Sequence, residues 1–261
     1  MLIGRRKRKF DIASANYISA SNTVQTEGFG IKGSKEGLTD DAAKYFRLAK
    51  RSPCTMDDPA RRAKLTYFAS QAYSDYAGGK PQPVQLPTLV KLNVFNALAR
   101  NAAALGLMTT EWVLCDAISP FGRSGPLAFT YELPGGKTCP PSLRPTNLQL
   151  AIPHRPWIDL FPLPRLRDNL LLAMKSSKAF DELGLCFDMV EAYGTTTSRP
   201  DDPLLLVWGE PWNPYSWEAS VAFLRKWGLL LRGCREILES TNHWREKRGE
   251  TRLTFDSLMC D

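Results

Sequence analysis

Ten prolines fall between residues 119 and 165. They exclude a continuous helix through this segment, because proline lacks an amide N–H and disfavours helix in the residue before it. The same segment carries bulky apolar side chains such as Leu148, Trp157 and Phe161. We therefore predict a long, proline-rich loop that is ordered and packs on the rest of the protein. Its prolines are Pro120, Pro126, Pro134, Pro140, Pro141, Pro145, Pro153, Pro156, Pro162 and Pro164.

Amphipathic periodicity predicts helices on both sides of this loop. Apolar residues from Leu89 to Leu105 recur at three- and four-residue spacing, which is typical of one helix face. Ser216 is predicted to cap the longest helix, which carries two adjacent apolar stripes as far as Ile237 and is either broken or kinked at Gly233. The shorter segments comprise helices predicted at residues 39–50, 57–76, 110–115, 166–175 and 181–192, and an apolar run at residues 204–208 that is either a strand or a buried helical turn.

These patterns predict a mostly α-helical protein with a single helical domain at residues 81–255. A helical segment and linker at residues 39–80 is expected to precede it. Residues 1–38 are rich in Ser, Asn, Gly and Lys, and we predict that they form a flexible, disordered basic arm.

The positive charge is concentrated in this arm. The chain has a net charge of +7 from 34 basic and 27 acidic residues. Arg5, Arg6, Lys7, Arg8 and Lys9 supply five of the basic residues, so 29 remain against the 27 acids. The rest of the chain therefore has no overall charge typical of a DNA-binding surface. The basic run fits either a nuclear import signal or a solvated tail, which predicts a nuclear or, alternatively, a cytoplasmic protein.

Composition excludes several other classes. Six scattered cysteines without a C-x-x-C pair, and only two histidines, favour neither a disulfide framework nor a metal site. No apolar run reaches the roughly 18 residues of a membrane span. The sequence has no nucleotide-binding, nucleophile-elbow or zinc-protease motif, so we predict no cofactor.

His154 and Asp159 are the weak catalytic candidates of the proline-rich loop. A histidine with a nearby carboxylate is the minimum for acid–base chemistry, but a histidine beside proline more often fixes a loop by hydrogen bonding. Nearby, Arg165, Arg167 and Asp168 form either an ion-pair cluster with Asp159 or a clamp for an anionic ligand.

Five of the seven tryptophans lie between Trp208 and Trp244. Three of them surround a Gly- and Pro-containing turn, which predicts either a packed turn or an aromatic ligand pocket. The cations from Arg245 to Arg248 favour a helix C-terminus, with phosphate contact as the alternative. The pocket would be lined by His154, Trp157, Trp208, Trp212 and Trp217.

Three segments carry a family resemblance. LRPTNLQLAIPHRPWIDLFPLPRLRDNLL, LLLVWGEPWNPYSWEASVAFLRKWGLLL and STNHWREKRGE together resemble a fungal domain of unknown function. That domain commonly follows a bZIP region in fungal transcription factors, including regulators of secondary-metabolite gene clusters. The resemblance extends from about Leu89 to Leu253 and implies a mostly helical domain of a nuclear regulator.

The resemblance implies a transcription regulator or a regulatory, ligand-sensing domain without enzymatic activity. The bZIP region expected upstream is not found here, apart from Arg5–Lys9, so we expect a DNA-binding or transcriptional partner protein in place of direct DNA binding. The alternative is a metabolite-binding enzyme or accessory protein of a biosynthetic cluster, which would bind a hydrophobic small molecule and use His154 and Asp159.

Overall fold

In the computed structural model of the chain, the described residues are 85–107, 117–124, 137–176, 180–190 and 204–255, with smaller pieces within 63–82 and at 112 and 132–133. The predicted arm at residues 1–38, the basic run Arg5–Lys9 and the predicted helix at residues 39–50 lie outside these ranges. The described positions between residues 63 and 77 are helical, as the predicted helix at 57–76 requires.

Helices account for most of the described residues, which confirms the predicted helical class. The α-helices are α1 (Leu86–Ala104), α2 (Pro120–Ser124), α3 (Asn147–Ala151), α4 (Pro164–Ser176), α5 (Glu182–Val190), α6 (Val221–Trp227) and α7 (Arg235–Lys247). Short 3-10 helices lie at Pro141–Leu143, Pro156–Leu160, Pro214–Ser216 and Gly228–Leu231. Two antiparallel strand pairs join β1 (Glu132–Leu133) to β2 (Lys137–Thr138) and β3 (Leu205–Val207) to β4 (Trp217–Ala219). Among the described helices, none combines the length and the apolar character needed to cross a membrane.

The helix α1 confirms the stretch predicted from Leu89 to Leu105. A proline lies in its first turn, where the missing N–H has no helical partner to lose. Gly106 follows the end of the helix, and its φ of 70° is the left-handed conformation that favours glycine. The N–H of Leu107 then bonds back to the carbonyl oxygen of Ala102 at 2.9 Å, which closes the helix end.

The described part of the proline-rich segment contains short helical pieces and the two-residue strands β1 and β2. Prolines begin four of the helical pieces, because the fixed φ of proline suits a first helical turn. Pro141 and Pro156 lie in the first turns of two 3-10 helices, and Pro120 and Pro164 begin α2 and α4.

The prediction of a single long helix that begins at Ser216 is wrong. Trp217–Ala219 is the strand β4, and β3 is the strand that residues 204–208 were predicted to form as one of two alternatives. Ser220, rather than Ser216, caps the next helix: its Oγ accepts from the N–H of Phe223 at 3.1 Å. Gly233, with φ 74°, separates the 3-10 turn from α7.

Most side chains of the two apolar stripes of that predicted helix are nevertheless buried. They belong to four consecutive short elements that pack on different neighbours, so the spacing resembles one wide helix face. The core lies where these elements meet α1, α4 and the proline-rich segment. Its fully buried side chains include Leu143, Ile158, Leu160, Phe161, Leu163, Trp217 and Ile237.

Candidate functional site

His154 and Asp159 contact each other inside the protein. His154 is 1% exposed and Asp159 is 0% exposed, and His154 Nε2 lies 2.7 Å from Asp159 Oδ1. His154 Nδ1 lies 2.6 Å from the carbonyl oxygen of Ile152. The second carboxylate oxygen, Oδ2, accepts a hydrogen bond from Ser119 Oγ at 2.6 Å. Both ring nitrogens and both carboxylate oxygens therefore already have protein partners.

These partners determine the protonation state of His154. A backbone carbonyl and a carboxylate are both acceptors, so both ring nitrogens donate and the ring is positively charged. Burial lowers the pKa of His154. The hydrogen bond and the negative charge of Asp159, together with the carbonyl of Ile152, raise this pKa by more than burial lowers it, so the pKa lies above its ordinary value. A ring that donates from both nitrogens has no lone pair with which to act as a general base.

The stability that His154 confers is expected to fall as the pH rises. Its pKa is raised in the folded state, so its contribution is fully present below the unfolded-state pKa of about 6.5 and is lost as the pH rises through the folded-state pKa. We expect the gap in free energy of unfolding between the wild type and His154→Gln to be largest at acidic pH and to narrow towards alkaline pH. Urea unfolding at a series of pH values measures this gap.

His243 offers a matched control for the loss of a histidine. It lies exposed on α7, with its ring edge-on to Trp244. The His243→Gln variant separates the effect of removing the buried ring from the effect of replacing any histidine with glutamine. A gap between the wild type and His154→Gln that widens with rising pH would show that the buried ring is neutral.

Arg167 lies in the first turns of α4, fully buried, and its guanidinium binds four acceptors. Nε donates to Gln149 Oε1 at 2.8 Å, and Nη1 donates to the carbonyl oxygens of Ser142 and Phe161 at 2.8 and 2.5 Å. Nη2 donates to the carbonyl oxygen of Arg144 at 2.6 Å. Burial lowers the pKa of this guanidinium to about 10, which leaves it charged at neutral pH.

Gln149 connects Arg167 to Asp159. Its Nε2 donates to Asp159 Oδ1 at 2.5 Å, while its Oε1 accepts from Arg167 and from the N–H of Thr146, the latter at 2.9 Å. Thr146 Oγ1 accepts in return from the N–H of Gln149 at 3.2 Å, a capping box that begins α3. The Thr-x-x-Gln spacing is the sequence signal by which Gln149 could be recognised.

The members of the predicted Arg165, Arg167 and Asp168 cluster have different partners. Arg165 is exposed on α4, whereas Arg167 binds backbone carbonyls. Asp168 Oδ1 accepts from Thr146 Oγ1 at 2.5 Å. Protein acceptors thus occupy the positions around Arg167 that a phosphate or carboxylate ligand would need. The geometry favours a structural role over an anion clamp.

Trp217 is the buried centre of the tryptophan-rich turn. It is 0% exposed, and its Nε1 donates to the carbonyl oxygen of Pro211 at 2.9 Å. Its ring centroid lies 5.7 Å from that of Phe161, and Trp157 lies edge-on to Phe161 at 6.0 Å. Trp157, Phe161 and Trp217 therefore form one packed aromatic row, as a packed turn requires.

Trp208 and Trp212 lie nearer the surface. Trp208 is 42% exposed and stacks on Trp244, with 4.9 Å between the ring centroids. The guanidinium of Arg100 lies 5.4 Å from the centre of the Trp212 ring. The structure thus places Trp208 against α7, whereas His154 is enclosed in the interior.

Asn101 is a site residue that apolar periodicity alone does not reveal. It is 0% exposed in the last turn of α1, and its Nδ2 donates to the carbonyl oxygens of Leu160 at 2.8 Å and Pro211 at 3.0 Å. One amide therefore ties both the proline-rich segment and the tryptophan-rich turn to α1. Its sequence signal is a polar residue between the apolar positions Leu98 and Ala102.

Glu218 holds the end of α7 against the β3–β4 pair. Its carboxylate is 3% exposed and accepts from Arg248 Nη1 at 2.9 Å, from Arg248 Nη2 at 2.5 Å and from Trp208 Nε1 at 2.7 Å. The hydrogen bond to Glu218 is the main reason that the pKa of Arg248 lies above its ordinary value. The exposed Trp208 is consequently fixed in position on two sides, by the stack on Trp244 and by this carboxylate.

Acidic residues neutralise the basic end of α7. Arg245 Nη1 lies 2.8 Å from Glu250 Oε2, and Arg252 pairs with Glu246. Arg248 also contacts Glu250, with 2.7 Å between Nε and Oε1. These ion pairs favour the helix-terminus interpretation of the basic residues over phosphate contact.

Residues 135–238 match a family described as Domain of unknown function (DUF3425). The matched range contains His154, Asp159, Arg167 and Trp217, and ends before Trp244. No curated protein matches the chain. No solved structure matches it either.

Proposed function

We propose that the chain is a non-enzymatic regulatory protein of a transcription-factor family and that its folded part acts by binding other molecules. The observation that carries this proposal is that His154, Asp159 and Arg167 are buried and that their polar groups are hydrogen-bonded to other groups of the protein. These side chains have the chemistry for proton transfer or anion binding, but each one is used to hold the proline-rich segment in place. The match to a domain of unknown function is compatible with the fungal bZIP-associated family that the sequence resembles.

A DNA-binding or transcriptional partner protein is part of this proposal. The arginines at the end of α7 are paired with carboxylates, so this surface offers phosphate groups little free charge. The run Arg5–Lys9 is proposed to direct the chain to the nucleus.

The competing function is that of a metabolite-binding enzyme or accessory protein, and it draws no support from this geometry. It requires His154 and Asp159 to face a substrate. Their exposures of 1% and 0%, and the donation of both His154 nitrogens to protein acceptors, leave no position for a reacting group within hydrogen-bond distance.

Deleting the gene in the native host is expected to change the transcript levels of a defined set of genes. Re-expressing the fluorescently tagged full chain should restore those levels and place the tag in the nucleus. A variant with Arg5, Arg6, Lys7, Arg8 and Lys9 replaced by alanine should remain largely cytoplasmic and restore them poorly, because the import signal is lost. RNA sequencing and the nuclear-to-cytoplasmic fluorescence ratio are the two measurements.

The matched control replaces Lys32 and Lys35, which lie in the same predicted arm but outside the basic run. This variant should behave as the wild type in both measurements. Unchanged transcripts after deletion would contradict the regulatory function. An unchanged fluorescence ratio in the alanine variant would contradict the import role of Arg5–Lys9.

A further inference from the structure

After α7 the chain reverses direction, and residues 250–253, here called the return segment, lie against the last turns of that helix. The reversal is at Gly249, whose φ of 77° is in the left-handed region that favours glycine. Leu253 of the return segment pairs with Asn242 of α7, more than one helical turn before the helix ends. The end of α7 thus already holds a peptide segment, which shows what kind of segment fits there.

Side chains of α7 bind the backbone of the return segment. Asn242 Nδ2 donates to the carbonyl oxygen of Leu253 at 2.9 Å, and Asn242 Oδ1 accepts from the N–H of Leu253 at 2.8 Å. Arg245 Nε donates to the carbonyl oxygen of Thr251 at 2.9 Å. Alternate residues therefore turn their backbone groups to the same side, as along one edge of a β-strand. These three hydrogen bonds involve no side chain of the return segment, so a segment of different sequence can form them too.

Ion pairs add a charge preference to this backbone binding. Glu250 accepts from Arg245 Nη1 at 2.8 Å and from Arg248 Nε at 2.7 Å. Arg252, two residues later, pairs with Glu246 of α7. An acidic residue and a basic residue, two positions apart, thus complement the charges that the helix presents. Both members of the second pair are exposed, and exposed pairs contribute little to stability because water screens them.

The binding residue is buried, whereas the segment that it holds is largely exposed. Asn242 is 4% exposed, so its amide group would lose both hydrogen-bond partners inside the protein if the segment left. A buried polar group without partners is unfavourable, which favours an occupied site. Thr251 and Arg252 are exposed, and segments held by few contacts at the surface are those that open locally. The site therefore favours an occupant without holding the present one tightly.

We propose that Asn242 and Arg245 form a binding site for a strand-like peptide segment, which residues 250–253 occupy in the free chain and from which a partner protein with a similar segment displaces them. The present occupant defines the pattern of the partner segment: an acidic residue, any residue, a basic residue and an apolar residue, with an aromatic residue two positions later. Phe255, which is partly buried against the core, supplies that aromatic position. The proposal rests on the proposed function, in which the folded part binds other molecules.

Fluorescence anisotropy with the purified full chain tests whether a separate peptide competes with the return segment. The probe is a fluorescein-labelled peptide, GETRLTF, which copies residues 249–255. The wild-type chain should bind this probe weakly, because its own segment competes at a high effective concentration. The Leu253→Pro chain lacks the N–H that Asn242 accepts, so its segment detaches more readily. It should bind the probe about tenfold more tightly than the wild type does.

The same change in the probe provides the matched comparison. The peptide GETRPTF also lacks this N–H, so it should bind the Leu253→Pro chain much more weakly than GETRLTF does. The double variant Asn242→Ala and Leu253→Pro should lose the gain in affinity, because the binding amide is absent. Thr251→Ala removes an exposed side chain but keeps the carbonyl that Arg245 binds, so it should bind the probe as the wild type does. Thermal melting curves check that each variant is folded.

Equal affinity of the wild-type and Leu253→Pro chains for GETRLTF would overturn the proposal, as would equal binding of the two peptides to the Leu253→Pro chain. Light scattering after size exclusion tests a second copy as the occupant. A wild-type dimer that Asn242→Ala converts to a monomer would assign the site to that copy and overturn its assignment to another protein. Since these assays use purified components, a failure leaves the transcript measurements above to decide the regulatory function separately.

Discussion

Replacing Arg167 with leucine is expected to lower the free energy of unfolding by about 3 kcal/mol or more. The change removes donors from the side-chain oxygen of Gln149 and from three backbone carbonyls, while these acceptors stay inside the protein. Each buried acceptor left without a partner costs about 1–3 kcal/mol, although relaxation and entering water reduce the sum. Urea unfolding followed by circular dichroism measures the loss.

Two further variants make this result specific. Arg167→Lys keeps the charge but lacks the planar fork that reaches several acceptors at once, so it should recover only part of the loss. Arg165 lies two residues earlier, on the exposed side of α4. The variant Arg165→Ala should therefore change the free energy of unfolding by no more than about 0.5 kcal/mol. If Arg167→Leu were as stable as Arg165→Ala, the guanidinium would not be holding the proline-rich segment.

The Trp217→Ala variant is expected to lose about 3–5 kcal/mol, the usual cost of deleting a fully buried large aromatic side chain. The cavity would open between Phe161 and the tryptophan-rich turn, and the carbonyl oxygen of Pro211 would lose the indole donor while keeping Asn101. Trp217→Phe should lose less, since it fills most of the space and removes mainly the hydrogen bond. Thermal or urea unfolding distinguishes the two.

Trp208→Ala is the matched control from the same turn. Trp208 is 42% exposed, so its removal should cost clearly less than that of Trp217, even though it ends a stack on Trp244 and a bond to Glu218. Equal losses at the two positions would contradict the division of this turn into a buried centre and an exposed rim.

Local patterns in the sequence were sufficient to predict α1, α4 and α5, because one helix face of each is apolar, and α1 and α4 also have a proline in the first turn. They were not sufficient for residues 216–237. The spacing of Trp217, Phe223 and Leu231 fits a helix, yet long-range pairing makes Trp217–Ala219 a strand next to β3. Pairing between strands ten residues apart in the chain is a tertiary effect that periodicity within one segment does not report.

The sequence was sufficient to predict which residues form the candidate site, but not which contacts connect them. The types of His154, Asp159 and Arg167 marked them as important, and their proximity in the chain suggested that they meet. Gln149 links Arg167 to Asp159, and Asn101 binds carbonyl oxygens 59 and 110 residues further along the chain. The apolar spacing within one segment does not report either set of contacts. The burial of these side chains favours a structural role over a catalytic one, and burial depends on the complete fold.

The chemistry of proline gives Arg167 a wider meaning. Every proline removes one backbone N–H from a segment but leaves its carbonyl, so a buried proline-rich segment has more hydrogen-bond acceptors than donors. Two of the carbonyls that Arg167 binds, those of Arg144 and Phe161, belong to residues that directly precede a proline. Arginine carries five N–H groups, more than any other side chain, and supplies from α4 the donors that this backbone lacks. The prolines of this segment therefore remove donors that Arg167 of the next helix replaces. We expect a substitution that changes the number of prolines, or one that replaces Arg167, to be tolerated only when the other also changes.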